Sequence, residues 1–158
     1  MHPGKGPQAS PLIGTLGLSL LLLLGLTGLT GCTFTARLPD GRVVQASLPD
    51  WEVRRVVERL DALSLELLQE SRRARAYGLA RVATELRAEL ARLLRQMGAG
   101  QVVDLQKPAL KLKAYEWQLQ GLMTFSERPE RYAPLKRTLE RLKRVFWGFV
   151  ERLLQADP

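Results

Sequence analysis

A leucine-rich run from Leu12 to Leu29, followed closely by Cys32, constrains this chain more than any other feature. Residues Met1 to Pro11 carry the α-amine and Lys5 as positive charge, with His2 able to add a little, and small residues Thr30 and Gly31 follow the run. Charge, apolar core and small residues in that order are the three parts of a secretory signal. The core spans 18 residues, longer than the usual ~7–15 of a signal and near the lower limit for a membrane helix. An uncleaved anchor is therefore the alternative. Gly14, Gly17, Gly25, Gly28, Thr27 and Thr30 dilute such a helix, and no basic stop-transfer cluster follows it.

The residues Leu29-Thr30-Gly31-Cys32 resemble the lipobox of bacterial lipoproteins: an aliphatic residue, two small residues, then cysteine. The resemblance implies cleavage between Gly31 and Cys32 and loss of residues 1–31 as a signal peptide. It also implies a diacylglycerol on the Cys32 thiol and an acyl chain on the freed amine. Two such signals are what stable anchoring needs. The expected location is the extracytoplasmic face of a bacterial membrane. Thr33, where an Asp would favour inner-membrane retention in enteric bacteria, leans towards the outer membrane if the host has two.

Removal of the first 31 of the 158 residues leaves 127, enough for one domain with a modest core. The formal charge then falls from +8 to about +7, because Lys5 is the only charged side chain removed. A basic surface favours anionic partners such as lipid head groups or envelope polymers. An extracytoplasmic location disfavours nucleic acid. Cys32 is the sole cysteine, so no disulfide forms within the chain.

After Cys32, two β-prone runs (Thr33 to Leu38 and Arg42 to Leu48) flank Pro39-Asp40-Gly41. This reads as a short hairpin over 32–49, with an extended tether as the alternative. One hairpin alone is marginal in water and should lean on helices or on a partner's sheet edge.

Asp50 is a candidate N-cap, with Glu52 favourable in the first turn. Apolar residues then recur at helical spacing from Val53 to Leu68 and from Leu79 to Met97, ending at Gly98-Ala99-Gly100. Between them the stripe thins to Ala74 and Tyr77, and Gly78 permits a kink. One long helix over about 50–97, continuous or bent at Gly78, is expected. Asp104 can cap a second helix over about 105–126, with Pro108 tolerated in its first turn. Its expected buried side is Leu112, Tyr115, Leu119, Leu122 and Phe125. Prolines 129 and 134 then break the chain before a third helix over about 134–155. In it Leu135, Leu139, Leu142, Phe146, Phe149 and Leu153 form a seam of alternating steps. The expected class is all-α: a small helical bundle or a long helical hairpin over residues 50–158, preceded by the short β-hairpin.

Catalytic chemistry has little to stand on. His2 is the only histidine and lies in the removed segment, which takes away the commonest acid–base group and the usual zinc ligands. There is no Gly-x-Ser-x-Gly and no Ser-x-x-Lys, and Gly4-Lys5-Gly6 is not a phosphate loop. Glu66 and Glu70, or Glu85 and Glu89, sit one turn apart but are surrounded by Arg59, Arg73, Arg81, Arg87 and Arg92. They read as a solvated face. The expectation is no enzyme, no metal and no cofactor beyond the lipid on Cys32.

Two surfaces are candidates for binding. Arg72, Arg73 and Arg75 stand where the apolar stripe is thinnest, and arginine suits phosphate or carboxylate. Trp147 flanks the third helix's seam with Lys143 one turn earlier, placed to stack over the indole. The expected role is a non-catalytic adaptor, lipid-anchored and docking on other envelope proteins. Its rivals are a carrier for hydrophobic ligands, with a pocket at Tyr115, Leu119 and Phe146, and an Arg-rich polyanion binder.

Overall fold

The computed structural model describes residues 31–156, so the signal-peptide and cleavage expectations for residues 1–30 lie outside the described residues. The sequence's period-two runs become strands β1 (Cys32–Arg37) and β2 (Val43–Leu48), paired antiparallel with Phe34 opposite Ala46 and Ala36 opposite Val44. Alternation decides which face is buried: Phe34, Ala36, Leu38, Val44, Ala46 and Leu48 all point inwards. At the turn, Leu38 N donates to the Arg42 carbonyl (2.8 Å) and Gly41 N to that of Leu38 (2.9 Å). Gly41 adopts φ 91°, which explains a glycine there.

The hairpin is not alone. A two-residue strand β3 (Val103–Asp104) runs parallel to β1 at Ala36–Arg37, giving a mixed sheet of order β2-β1-β3. The all-α expectation is thereby corrected to a mostly helical fold with a small mixed sheet. Val103 and Leu105 are fully buried, so apolar burial holds β3 in place although two residues contribute little ladder.

The expected long helix is two helices: α1 (Asp50–Arg73) and α2 (Tyr77–Gly98). The chain reverses between them at Ala74-Arg75-Ala76, not at Gly78. Ala76 N donates to the Ser71 carbonyl and Arg75 N to that of Arg72, each at 2.9 Å. This is the Schellman pattern, whose pivotal residue takes a left-handed conformation and is usually glycine. Here it is Arg75, at φ 55°. Arg131 Nη2 donates to the Ala74 carbonyl at 2.7 Å, tying the turn to the start of the last helix.

Helices α3 (Gln106–Phe125) and α4 (Ala133–Gln155) fall within two residues of the expected spans. Asp104 Oδ1 accepts from Gln106 N at 2.9 Å, an Asx-type bond just ahead of the helix, but the N-cap position is Leu105 and no side chain caps α3 from it. A 3₁₀ turn at Pro129–Tyr132 joins α3 to α4.

The four helices form an up-down-up-down bundle whose open end is covered by the sheet. Polar pairs mark each seam: Asp61 with Arg87 (α1–α2), Glu85 with Lys111 (α2–α3), Glu116 with Lys143 (α3–α4), and Glu52 with Arg152 (α4–α1). Such exposed or half-exposed pairs contribute little each, roughly 0–1 kcal/mol. The core does most of the work, with Leu67, Leu86, Leu135, Leu139, Leu142, Phe146 and Leu153 buried to about 1% exposure or less. The seam read in α4 is this core's longest contribution.

Candidate binding surfaces

Cys32 occupies the first position of β1, opposite Leu48, at the corner where β2 hands over to α1. Its thiol donates to Asp50 Oδ1 at 2.7 Å. That hydrogen bond, then burial, then the carboxylate's charge raise the thiol's pKa above its ordinary value. Asp50 is consequently not the helix cap expected. It is itself the first residue of α1, and no side chain caps that end. Trp51, beside it, is exposed.

Arg72 and Arg73 end α1, and Arg75 forms the turn; all three are exposed. They therefore sit at the pole opposite Cys32, separated by the length of a 24-residue helix, about 36 Å at 1.5 Å per residue. Below them lies a polar layer that sequence reading missed. Ser71 Oγ donates to the Leu67 carbonyl (2.7 Å), so the Tyr115 hydroxyl supplies the proton for its 2.6 Å bond to Ser71. Burial, followed by the nearby Glu70 charge, outweighs the Ser71 bond and pushes the Tyr115 pKa up to about 12. Thr138 Oγ1 donates to Glu70 Oε2 at 2.7 Å. A serine and a threonine at helical core positions were the available signal.

Lys143 does not stack on Trp147 as expected. Its ammonium donates to Glu116 Oε1 at 2.7 Å and lies 3.6 Å from Glu140, and these carboxylates raise its pKa, the Glu116 hydrogen bond foremost. Trp147 instead meets the Phe146 ring edge-on, 5.3 Å between centroids at 84°. Lys143 and Trp147 both line a groove of about 1030 Å³ between α3, α4 and the β1–β2 turn. Leu112, Val150, Trp147 and Leu154 give it an apolar lining, and Arg37, Lys107 and Lys113 share that lining with Asp40, Asp104 and Glu116. Arg72, Arg73 and Arg75 are far from it, so the two sequence-derived surfaces remain separate.

The pocket expected at Tyr115, Leu119 and Phe146 is absent, because these side chains are packed in the filled core, at 3% exposure or less. Leu122 and Phe125, expected inside, face out; Phe125 is 89% exposed. Among the described residues no group of His, Cys, Asp and Glu is arranged to hold a metal ion, and no helix is long and apolar enough to cross a membrane. No family model, curated protein or solved structure matches this chain.

Proposed function

We propose that this is a lipid-anchored envelope protein, a non-catalytic adaptor that presents a small helical bundle at a bacterial membrane's extracytoplasmic face. The observation that carries the reading is the position of Cys32: the residue that completes the lipobox-like Leu29-Thr30-Gly31-Cys32 is also the first residue of β1. Signal would end and domain begin at the same peptide bond. Lipidation of Cys32 turns its thiol into a thioether, which has no proton to give Asp50. The carboxylate is then released at the N-terminus of α1, where the helix dipole favours it.

Membrane attachment at this corner directs the opposite pole, with Arg72, Arg73 and Arg75, away from the bilayer. Three exposed arginines there suit a carboxylate- or phosphate-bearing envelope partner better than the lipid surface at the other pole. The test is the intact mass of membrane-extracted protein beside a Cys32→Ala variant. Loss of residues 1–31 plus added lipid, with the variant uncleaved, is the expected result. A full-length mass without lipid would sink the proposal.

The groove between α3 and α4 favours a second reading, a binder of anionic amphiphiles, since Leu112, Val150, Trp147 and Leu154 give it an apolar lining and its five cations outnumber Asp40, Asp104 and Glu116. A fluorescent fatty-acid probe would show saturable binding that Val150→Glu abolishes; no saturation would dismiss it.

A further inference from the structure

The two connections at the pole remote from Cys32 meet each other, because Arg131 of the α3–α4 connection donates to the Ala74 carbonyl in the α1–α2 turn. Beside this junction lies a hollow of about 620 Å³ lined by Arg75, Tyr77, Leu122, Phe125 and Tyr132. Gly78 and Gly121 belong to the same lining, and a Cβ added at Gly121 would meet nothing within 4 Å. Tyr77 is 70% exposed and Phe125 89%. At ~150–250 Å² per aromatic side chain, these two rings show on the order of 300 Å². An apolar patch of that scale on a monomer is commonly functional.

The charge beside the hollow is mostly of one sign. Residues 72–77 and 126–132 carry Arg72, Arg73, Arg75, Arg128 and Arg131 against Glu127 and Glu130. All five arginines are exposed. None forms an ion pair among the described residues, whereas Arg87 and Arg152 on the helix seams are paired.

The dipole of α1 accounts for Arg72 and Arg73, which lie in its last turn. It does not account for Arg75. That residue holds φ 55° at the turn position where glycine is usual. It also precedes the start of α2, an end at which the dipole disfavours a cation. A strained backbone with no local benefit points to a use for the side chain, and Arg75 lines the hollow.

We infer that this hollow binds a linear segment of a partner protein, in which one large apolar side chain is flanked by aspartate or glutamate. The inference rests on the reading of this pole as the partner-facing end of an anchored adaptor. The apolar side chain packs against Tyr77 and Phe125, and its acidic neighbours meet Arg75 and the arginines beside it. Both characters are needed in the occupant. A phosphate polymer has no apolar group for the aromatic lining, and a purely apolar ligand leaves the arginines unused. A folded domain buries ~800 Å² per partner in an ordinary interface, more than the hollow and its two rings offer. A linear segment held by one or two anchor residues matches the size.

The test uses the full-length protein in detergent micelles. A displayed library of random peptides is panned on it, and an enriched peptide is labelled with fluorescein for anisotropy titration. Enriched sequences should combine Asp or Glu with one Phe, Leu or Trp, and binding should weaken as salt rises. Arg75→Gly should weaken binding about tenfold while raising the urea midpoint, so unfolding cannot explain the loss. Phe125→Ala should weaken it similarly at unchanged stability. No enrichment, enrichment without acidic residues, or equal binding by Arg75→Gly overturns the inference. So does a single-stranded oligonucleotide or a polyphosphate chain that binds more tightly and displaces the peptide. Panning does not involve the lipid, so this result and the mass measurement on Cys32 fail independently.

Discussion

The two helical hairpins of this bundle have similar lengths and place their surplus apolar side chains differently. The α1–α2 hairpin turns in three residues, and its outward surface is mostly arginine and glutamate, with Trp51 and Tyr77 exposed at the two helix starts. The α3–α4 hairpin uses a longer connection with a 3₁₀ turn, leaves a groove beside the sheet, and displays Leu110, Trp117 and Phe125 to solvent. Within it the contrast sharpens further: α4 keeps its large residues to one face apart from Trp147 and Leu154, whereas α3 carries them on two. The lesson is that helical periodicity says which residues share a face, and a helix with two apolar faces has one more than its own bundle can cover.

Phenylalanine allows that contrast to be broken directly, because Phe146 is fully buried and Phe125 almost fully exposed. In urea denaturation Phe146→Ala should cost about 3–5 kcal/mol, while Phe125→Ala should leave the bundle's own stability within about 0.5 kcal/mol. Equal losses would mean that α3's outer face is packed within the single chain.

The inward face of α3 gives the next largest effect. Unfolded tyrosine ionises near 10, but Tyr115 resists until about 12. The folded state therefore retains a proton that the unfolded state releases. Stability is full below pH 10 and falls between pH 10 and 12, by about 2–3 kcal/mol in all. Tyr115→Phe should flatten that limb at a cost of roughly 0.5–1.5 kcal/mol for the lost hydrogen bond, since Ser71 keeps its bond to Leu67. An unaltered alkaline limb in the variant would assign the effect elsewhere.

The turn of the first hairpin supplies a smaller change of opposite sign. Arg75→Gly relieves a left-handed conformation costing about 1–2 kcal/mol in a residue with a Cβ. Greater freedom of the unfolded chain returns part of it. A net gain of about 0.5–1 kcal/mol, read as a higher urea midpoint at unchanged slope, is expected.

The smallest effect lies at the α2–α3 seam. Lys111, chiefly through its hydrogen bond and then its charge, holds the Glu85 carboxyl below its ordinary 4.5. Its contribution is present above that value and lost as pH falls through the folded one, so Glu85→Gln should slightly flatten the acid limb of a stability profile.

These contrasts also show what the chain made legible. The α4 seam and the β-hairpin follow from local patterns that the tertiary structure leaves intact. The reversal after α1 did not, because apolar spacing continues across it and its pivot is Arg75, while the nearby glycine at 78 is an ordinary helical residue. Strand β3 is too short for any periodicity. Phe125 and Leu122 fit the inward spacing of α3 on paper, yet the helix extends towards a pole where they face solvent. For the surfaces, spacing placed Trp147 correctly on the flank of α4. It could not foresee that Glu116, from another helix, would draw Lys143 away from the indole. Asp50 was similarly claimed by a residue 18 positions earlier.

The place of Cys32 as the first paired residue of β1 leaves little slack between its sulfur and the domain. A lipid on this atom would confine the arginine pole to a thin layer above the bilayer instead of the hemisphere swept by a flexible leash. Search for a partner in the same membrane would then become nearly two-dimensional, and the effective concentration of the pole would be high only for a partner of matching height. Inserting a Gly/Ser spacer after Cys32 would trade that fixed height for reach, at the cost of the pairing of Cys32 with Leu48 and its bond to Asp50.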